Sequence, residues 1–508
     1  MSLKNNPQRK AGIALAYVSI LISSVIGIAF TPYMVSKLGE IEYGLYQTLY
    51  ATIGYMSLLD FGLGGTLTRF ILKFQTDNDC EKVNSVISMC VKLYCFFGVV
   101  AMLIVGVLAL NLESLFDRNI TVENVCYARK LIILMGVSTS LSFISHALSG
   151  IQNAYEKHLV IKGVYITRQL LRVVIIAILL QFKFGALAVV TADLAVTVAL
   201  LLFDIFYCKC RLGIKLLNGK WDFSLLRSLF SYSAFVFLQI LVTQTNNNLD
   251  RVLLGIFSSF EVVALYGVSM QLHSLFNSVG GVISGITLPK ISKVVFADSS
   301  REEITDQCSK YSRVQLYISI LLLGGVILFG RDFAALWIPG YDNDAIWLLT
   351  LLIVTPQLLE SVEGTVFNVM KAKNMQAIRS LILFGVMVAN VILTIALIQV
   401  SPIYGPAIGT CVSFIIGNNI LSNIYYHKKV GVDMIRYFKN IFKGILPAWL
   451  VSMMVGCVII LIPLCGWLGF IIKGCLYVAT YGICVLAFAL NDYERQLVNS
   501  VIKKLTRR

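Results

Sequence analysis

The sequence is poor in charge: 14% of its 508 residues are Asp, Glu, Lys or Arg, against 57% hydrophobic, and the mean hydropathy is +0.80. A soluble chain of this size could not hide that much apolar surface, so the solvent around most of it must be lipid. The alternating pattern of about ten residues that marks an outer-membrane barrel is missing, which leaves helices as the spanning elements. No polar stretch is long enough for a separate soluble domain, and an enzyme acting at one membrane face needs larger loops to build its pocket. The twelve cysteines form neither a dense disulfide framework nor a zinc set, since Cys208-x-Cys210 lacks a second pair. There is no nucleophile–base constellation and no Gly loop leading into Lys-Ser/Thr, which argues against ATP hydrolysis. The expectation is a transporter without a catalytic residue, a bound metal or a cofactor.

Apolar runs of about 20 residues recur at 11–31, 45–67, 86–110, 131–150, 163–180, 185–206, 229–247, 262–288, 314–330, 346–368, 380–400, 405–426, 444–464 and 468–490. The first is too long for a signal-peptide core and is read as a retained span. Fourteen spans put both termini on one side. With the N-terminus inside, 31 of the 42 Lys and Arg residues fall on the cytoplasmic side, 7 on the outer side and 4 within spans. That asymmetry is the positive-inside pattern. The net charge of +15 is then a girdle facing anionic lipid, and nucleic acid is not an expected partner. Val432–Leu446 and the tail Gln496–Arg508 are amphipathic and are expected to lie on the inner leaflet, or else to be solvated helix ends.

The stretch Leu38–Phe70 has a weaker copy later in the chain. Leu38-Gly39, Glu42 and Leu45-Tyr46 match Leu254-Gly255, Glu261 and Leu265-Tyr266. Six spans precede the basic segment 207–227 and six follow it, which predicts a duplication preserving orientation. The expected division is a six-helix half at 1–220, a second at 221–430, and helices 13 and 14 with amphipathic segments at 431–508.

LGEIEYGLYQ followed by LLDFGLGGTLTRF, and later NNLDRVLLGIFSSFEVVALYGVS, resemble the polysaccharide-type members of the multidrug/oligosaccharidyl-lipid/polysaccharide superfamily, over nearly the whole chain. The resemblance implies an all-α polytopic membrane protein of about 14 transmembrane helices. It implies two six-helix lobes around a central cavity, with two further C-terminal helices outside them. It also implies a secondary-active flippase that turns undecaprenyl-pyrophosphate-linked oligosaccharide from the inner to the outer leaflet of the bacterial cytoplasmic membrane, for a surface polysaccharide such as O-antigen or capsule. A proton or sodium gradient would drive it, and lipid-linked glycan, membrane lipids and other polysaccharide assembly proteins would be its partners. The alternatives are a multidrug cation exporter of the same superfamily, a lipid II flippase, and a membrane glycan polymerase. Intramembrane arginines disfavour a cationic cargo, and the absence of a large outer loop disfavours the polymerase.

Ionised side chains at membrane depth need a partner or a water-filled cavity. Arg168 and Arg172, four apart in span five, share a helix face, and guanidinium suits a diphosphate. Arg168 could instead snorkel. Arg172 sits eleven residues before the turn at Lys183 and Asp193 ten after it, so the two could equally pair across adjacent helices. The run Gln244–Arg251 is the most polar near an outer helix end. Asn247 and Arg251 there are candidate substrate contacts and Asp250 a candidate gating residue, with helix capping as the competing reading. Gln271 joins Ser274 and Ser278 in a stripe, while His273 lies off it. Glu360 and Glu363 follow Pro356 and should repel, as a coupling site requires, unless an arginine of the other half neutralises them. Asp60, beside Gly62, Gly64 and Gly65, is a coupling or inner-gate candidate, and Lys92 in span three could be its partner.

Overall fold

The computed structural model describes residues 7–116, 122–214, 216–217, 219, 221–297 and 299–496. All regular structure among them is helical. The chain divides into two compact units, one running to Gly267 and including Thr394–Pro406, the other comprising Val268–Leu393 and the chain from Ala407 onward.

The first unit contains α1 (Pro7–Gly54), a 3-10 turn (Tyr55–Asp60), α2 (Leu63–Thr76), α3 (Cys80–Leu110), the single turn α4 (Leu112–Leu115), α5 (Val122–Ala154), α6 (His158–Gln181), α7 (Ala186–Phe206), α8 (Phe223–Phe257) and the start of α9 (Phe260–Phe296). The second contains the rest of α9, α10 (Arg301–Trp337), α11 (Asn343–Val362), α12 (Gly364–Ala372), most of α13 (Gln376–Ile398) and α14 (Gly405–Phe414). It continues through a π-helical run (Ile415–Leu421), α15 (Ser422–Tyr425), a second π-helical run (Tyr426–Val430), α16 (Met434–Phe442), α17 (Ile445–Ile460) and α18 (Gly466–Cys484).

Among the described residues ten helices are long and apolar enough to cross a membrane, or eleven if Met434–Phe442 and Ile445–Ile460, bent by 42°, count as one span. The first of the ten, Val18–Thr76, runs through two of the expected spans. Helices α8 and α9 cover expected spans seven and eight and are not among the ten.

In lipid the hydrocarbon tails are as apolar as leucine, so helix association rests on close packing and on hydrogen bonds. The first unit follows that rule. Leu63, Leu67 and Ile71 recur at helical spacing on α2 and are fully buried against Val86, Ile87 and Tyr94 of α3 and Ala147 and Ile151 of α5. A Cβ on Gly44 of α1 would collide with the Phe260 backbone of α9, and one on Gly255 of α8 with the Thr48 side chain of α1. The two copies of the repeat thus pack glycine against glycine-bearing helix. Gly39 takes φ 74° inside α1 and breaks the helix at the expected turn. The corresponding break of the second copy is at Ser258–Ser259, not at Gly255, which stays helical.

In the second unit, α16 carries three faces rather than two. Met434, Tyr437 and Ile441 are buried against the core that includes Cys308, Leu316 and Val366. Ile435, 75% exposed, with Phe438 and Phe442 forms a separate apolar stripe, and Lys439 and Lys443 are exposed on the third. The expected amphipathic tail Gln496–Arg508 lies outside the described residues except for Gln496.

Arg313 ties this end of the unit together. Buried on α10, it donates to Glu494 Oε1 at 2.8 Å, to the Asn440 carbonyl at 2.8 Å, to the Lys443 carbonyl at 2.9 Å and to the Ala489 carbonyl at 2.6 Å. One guanidinium therefore holds the end of α16, the end of the last span and the following segment. Burial alone would raise the Glu494 carboxyl, but the hydrogen bonds from Arg313 and the Asn491 amide, with the Arg313 charge, hold it below its ordinary value near 4.5.

Candidate functional site

The segment of α1 that follows Gly39 presents Tyr43, Tyr46, Gln47 and Tyr50 at i, i+3, i+4 and i+7, so they form one polar aromatic face. Tyr46 and Tyr50 stack at 5.9 Å between ring centroids, and Gln47 Nε2 donates to the Tyr43 hydroxyl at 2.7 Å. Two of the expected arginines converge on this face from different helices.

Arg172 on α6 pairs with Asp193 on α7 at 2.5 Å and donates to the Tyr46 hydroxyl at 3.2 Å. The pair expected from the hairpin arithmetic therefore exists, with the guanidinium still 32% exposed. Arg251 on α8 donates to Gln47 Oε1 at 2.8 Å, to Asn248 Oδ1 at 2.7 Å and to the Asn247 carbonyl at 3.0 Å. These three acceptors are neutral. Among the described residues its Nε has no hydrogen-bond partner.

The run Gln244–Arg251 is not a helix end: α8 continues to Phe257, so the capping explanation falls away. Asn248 Nδ2 donates to Gln244 Oε1 at 2.7 Å, one turn back, and the Asn247 side chain is exposed. Asp250 turns away from Arg251. It is buried and accepts from the hydroxyls of Tyr266 on α9 and, at 3.4 Å, Thr394 on α13. The matched tyrosines of the repeat thus meet opposite charges, Tyr46 an arginine and Tyr266 an aspartate.

The turn at Gly39 is fixed by a residue that enters the sequence pattern only as a repeat marker. Glu42 Oε1 accepts from the Ala186 amide at 2.7 Å and from the Tyr127 hydroxyl. A carboxylate at the start of α7 meets unpaired N–H groups and the positive end of the helix dipole. Gly185, at φ 60°, leaves room for it, since a Cβ there would strike both Glu42 and Tyr127. This staple holds α1 against α5 and α7 and so sets the height of the tyrosine face.

Arg168 stands one turn from Arg172 on α6, half-buried. Among the described residues it makes no hydrogen bond or ion pair, but it lies close enough to act electrostatically on Asp204 and His146. Asp60 ends the 3-10 turn, where Phe61 (φ 47°) and Gly62 (φ 71°) both take left-handed backbone and redirect the chain into α2. Its partner is the Tyr94 hydroxyl of α3, not Lys92. Lys92 instead reaches the Gly219 carbonyl at 3.5 Å and sits 5.9 Å from the Trp221 ring centroid, because a residue two positions from Tyr94 points away from it.

In the second unit, Glu360 pairs with Arg379 of α13 at 3.2 Å, an arginine of the same unit rather than of the other half. Glu360 also accepts from Asn418 at 2.9 Å, and Glu363, 5% exposed, accepts from Asn423 at 2.8 Å. Gln271 on α9 is half-buried and among the described residues makes no hydrogen bond. Neighbouring His273 sets Nε2 against Gln357 Oε1 and, at 2.8 Å, against Asn277 Nδ2, two partners of which the one nitrogen serves either as donor or as acceptor. Sequence reading missed Gln47, Arg379 and the asparagines at 418, 419 and 423. The last three carried a legible signal, three amides within six residues of an otherwise apolar span.

Residues 10–295 match the family model described as "Polysaccharide biosynthesis protein". The "Probable flippase AglR" of Haloferax volcanii is 24% identical over 429 residues, covering 80% of this chain and 81% of that one. The "Uncharacterized membrane protein EpsK" of Bacillus subtilis is 20% identical over 501 residues, covering 96% of each. Among solved structures, "Lipid II flippase MurJ, inward closed conformation" aligns with a TM-score of 0.74 at 16% identity, covering 96% of this chain and 100% of that one. A multidrug resistance MATE family transporter in its inward-facing conformation aligns with a TM-score of 0.65 at 14% identity, covering 81% and 94%. The fold is therefore shared with transporters. The chain belongs to the polysaccharide biosynthesis protein family and is a multi-pass membrane protein that shares its fold with these transporters.

Proposed function

We propose that the cargo is an undecaprenyl-pyrophosphate-linked oligosaccharide, moved from the inner to the outer leaflet of a bacterial cytoplasmic membrane for a surface polysaccharide. The observation that carries this reading is Arg251, a guanidinium that among the described residues is held only by amide and backbone oxygens. A charge so held is positioned without being neutralised, which is what recognition of a diphosphate requires. Arg172 adds a second guanidinium on the same aromatic face, partly offset by Asp193. The tyrosines beside them suit a sugar, which offers hydroxyls and an apolar ring face. Alternating access driven by a proton or sodium gradient would complete the cycle, with both termini cytoplasmic as the loop charges require.

The test is to delete the gene in its host and ask on which leaflet lipid-linked glycan accumulates. The expected result is inner-leaflet accumulation and loss of surface glycan, restored by the wild-type chain but not by Arg251→Gln. Unchanged surface glycan with altered dye efflux would overturn the reading in favour of the multidrug exporter.

A further inference from the structure

Side chains step by about 100° per residue around a helix, and on α16 with its cap Lys443 they divide into distinct faces. Met434, Tyr437 and Ile441 enter the core of the second unit, where the Tyr437 hydroxyl donates to the Val362 carbonyl at 3.1 Å. On one side of that face, Arg436 donates to Asp306 Oδ2 of α10 at 2.7 Å and pairs with Glu302 at 3.2 Å, and Asn440 donates to Asp306 at 3.1 Å. On the other side lie Ile435, Phe438 and Phe442, with the two phenylalanine rings stacked at 6.2 Å between centroids. Lys439 and Lys443 follow, opposite the core, and both are exposed. The unit therefore grips α16 along two faces and leaves an apolar stripe bordered by lysines.

The junction with α17 says what meets that stripe. Gly444, at φ 79°, turns the chain, and the two helices differ in direction by 42° while together remaining apolar enough to cross a membrane. Phe438 and Phe442 are followed at the same spacing of four by Leu446, Leu450 and Met454, all exposed on α17. On a spanning helix such exposed apolar side chains lie against acyl chains. The stripe of α16 prolongs that row onto a helix that turns aside from the span, so the lysines beside it fall where headgroups begin. Charge points to the same occupant. Asp306 and Glu302 are held by Arg436, and Asp433 caps α16 by accepting from the Ile435 and Arg436 amides at 3.1 and 3.2 Å. Among the described residues neither Lys439 nor Lys443 pairs with a carboxylate, and Lys428 and Lys429 stand exposed just ahead of the helix. Lysines so placed on an amphipathic helix beside a span suit an anionic lipid surface. A water-soluble acidic partner would meet the lysines but leave Ile435, Phe438 and Phe442 without apolar cover.

We propose that α16 is a binding site for anionic phospholipid, with Ile435, Phe438 and Phe442 seated on acyl chains and Lys439 and Lys443 holding headgroup phosphates. Arg313 gives the site a mechanical connection. It donates to the Asn440 and Lys443 carbonyls and, from the same guanidinium, to Glu494 and the Ala489 carbonyl. Lipid that fixes α16 therefore also fixes α10 and the end of the last span. The site is independent of what the chain carries.

The experiment is hydrogen exchange of the purified full-length chain in nanodiscs of phosphatidylcholine, alone or with increasing phosphatidylglycerol, read on the peptide covering Met434–Phe442, with Tm on the same samples. Phosphatidylglycerol is expected to slow exchange in α16 and raise Tm, and high salt to weaken both effects. Replacing Lys439 or Lys443 by Gln is expected to weaken the apparent affinity for phosphatidylglycerol about fivefold each, and the double variant to lose the response. Ile435→Ser, which changes no charge, is expected to shift the response to higher phosphatidylglycerol while keeping its salt dependence. All three side chains are exposed, so wild-type Tm in phosphatidylcholine alone is the check that the variants fold. Equal exchange and Tm in the two lipids would overturn the site, as would a phosphatidylglycerol response that survives in the double lysine variant. The same protection from soluble glycerol phosphate in phosphatidylcholine nanodiscs would show a free anion as the ligand and would overturn it too.

Discussion

Gln47 accepts a hydrogen bond from Arg251 at 2.8 Å across 204 positions of sequence, and that contact helps fix a guanidinium of the tyrosine face whose acceptors among the described residues are all neutral oxygens. A planar fork can reach Gln47, Asn248 and the Asn247 carbonyl together, whereas an ammonium reaches fewer of them. Arg251→Lys is expected to reduce glycan translocation roughly 10–100-fold, the equivalent of about 1.5–3 kcal/mol for a charge-assisted hydrogen bond, with little change in Tm. Gln47→Ala is expected to give a milder loss of the same kind. Translocation by reconstituted vesicles, with Tm on the same samples, checks both, and wild-type rates in Arg251→Lys would remove Arg251 from the site.

Arg172 and Asp193 make a different prediction, because their ion pair is partly exposed, at 32% and 29%. Breaking it by Asp193→Asn is expected to destabilise the chain by about 1–2 kcal/mol, between the ranges for exposed and buried pairs. The decisive variant is the swap Arg172→Asp with Asp193→Arg. If Arg172 touches cargo, the swap restores Tm but not translocation. Restored translocation would make the pair purely structural.

Asp60 and Tyr94 test the turn that joins α1 to α2. Asp60→Asn is expected to insert and fold but to impair translocation, and Tyr94→Phe to impair it less, since only the hydroxyl bond is removed. Full translocation by Asp60→Asn, with membrane insertion verified by fractionation, would reduce Asp60 to a buried structural acid.

Glu494 gives a pH dependence with a definite sign. Its carboxyl is held below the ordinary value near 4.5, so its contribution is present above that value and is lost as pH falls through the lower folded-state value. Tm should therefore begin to fall as pH drops below about 4.5. Glu494→Gln should be less stable at neutral pH and should flatten that fall. A variant with the wild-type slope would show that another carboxylate governs the acid limb.

Gly44 offers a purely steric test. A Cβ there meets the Phe260 backbone, which cannot swing aside as a side chain could. Gly44→Val is expected to destabilise the first unit by roughly 1–3 kcal/mol or more, read as lower Tm and poorer yield. Gly65→Ala, where a Cβ meets open space, is the control and should be near neutral.

Much of this protein was legible from sequence. Charge scarcity and recurring apolar runs dictate a helical membrane chain, because lipid offers no partner for an unpaired peptide group. The spacing of Arg172 and Asp193 about Lys183 placed them together, because two adjacent antiparallel helices share depth in a way that residue counting captures. The matched Leu-Gly and Leu-Tyr pairs pointed to a second turn, which falls at Ser258–Ser259 while Gly255 stays helical.

Counting fails where partners come from helices distant in sequence. Lys92 and Tyr94 are equally near Asp60 in sequence terms, and only the direction each side chain takes on α3 decides between them. Nothing local in the sequence says that Arg251 meets Gln47, that Glu360 meets Arg379 within its own unit, or that Asn418 and Asn423 donate to Glu360 and Glu363.

The stretch Leu38–Phe70 shows both sides. Its glycines and its apolar helix were determined by the sequence, because φ freedom and lipid solubility are properties of residues taken singly. Which atoms Glu42, Gln47 and Asp60 bind was decided only by the tertiary structure, because a polar group in a membrane takes whichever partner the packing of distant helices brings within reach.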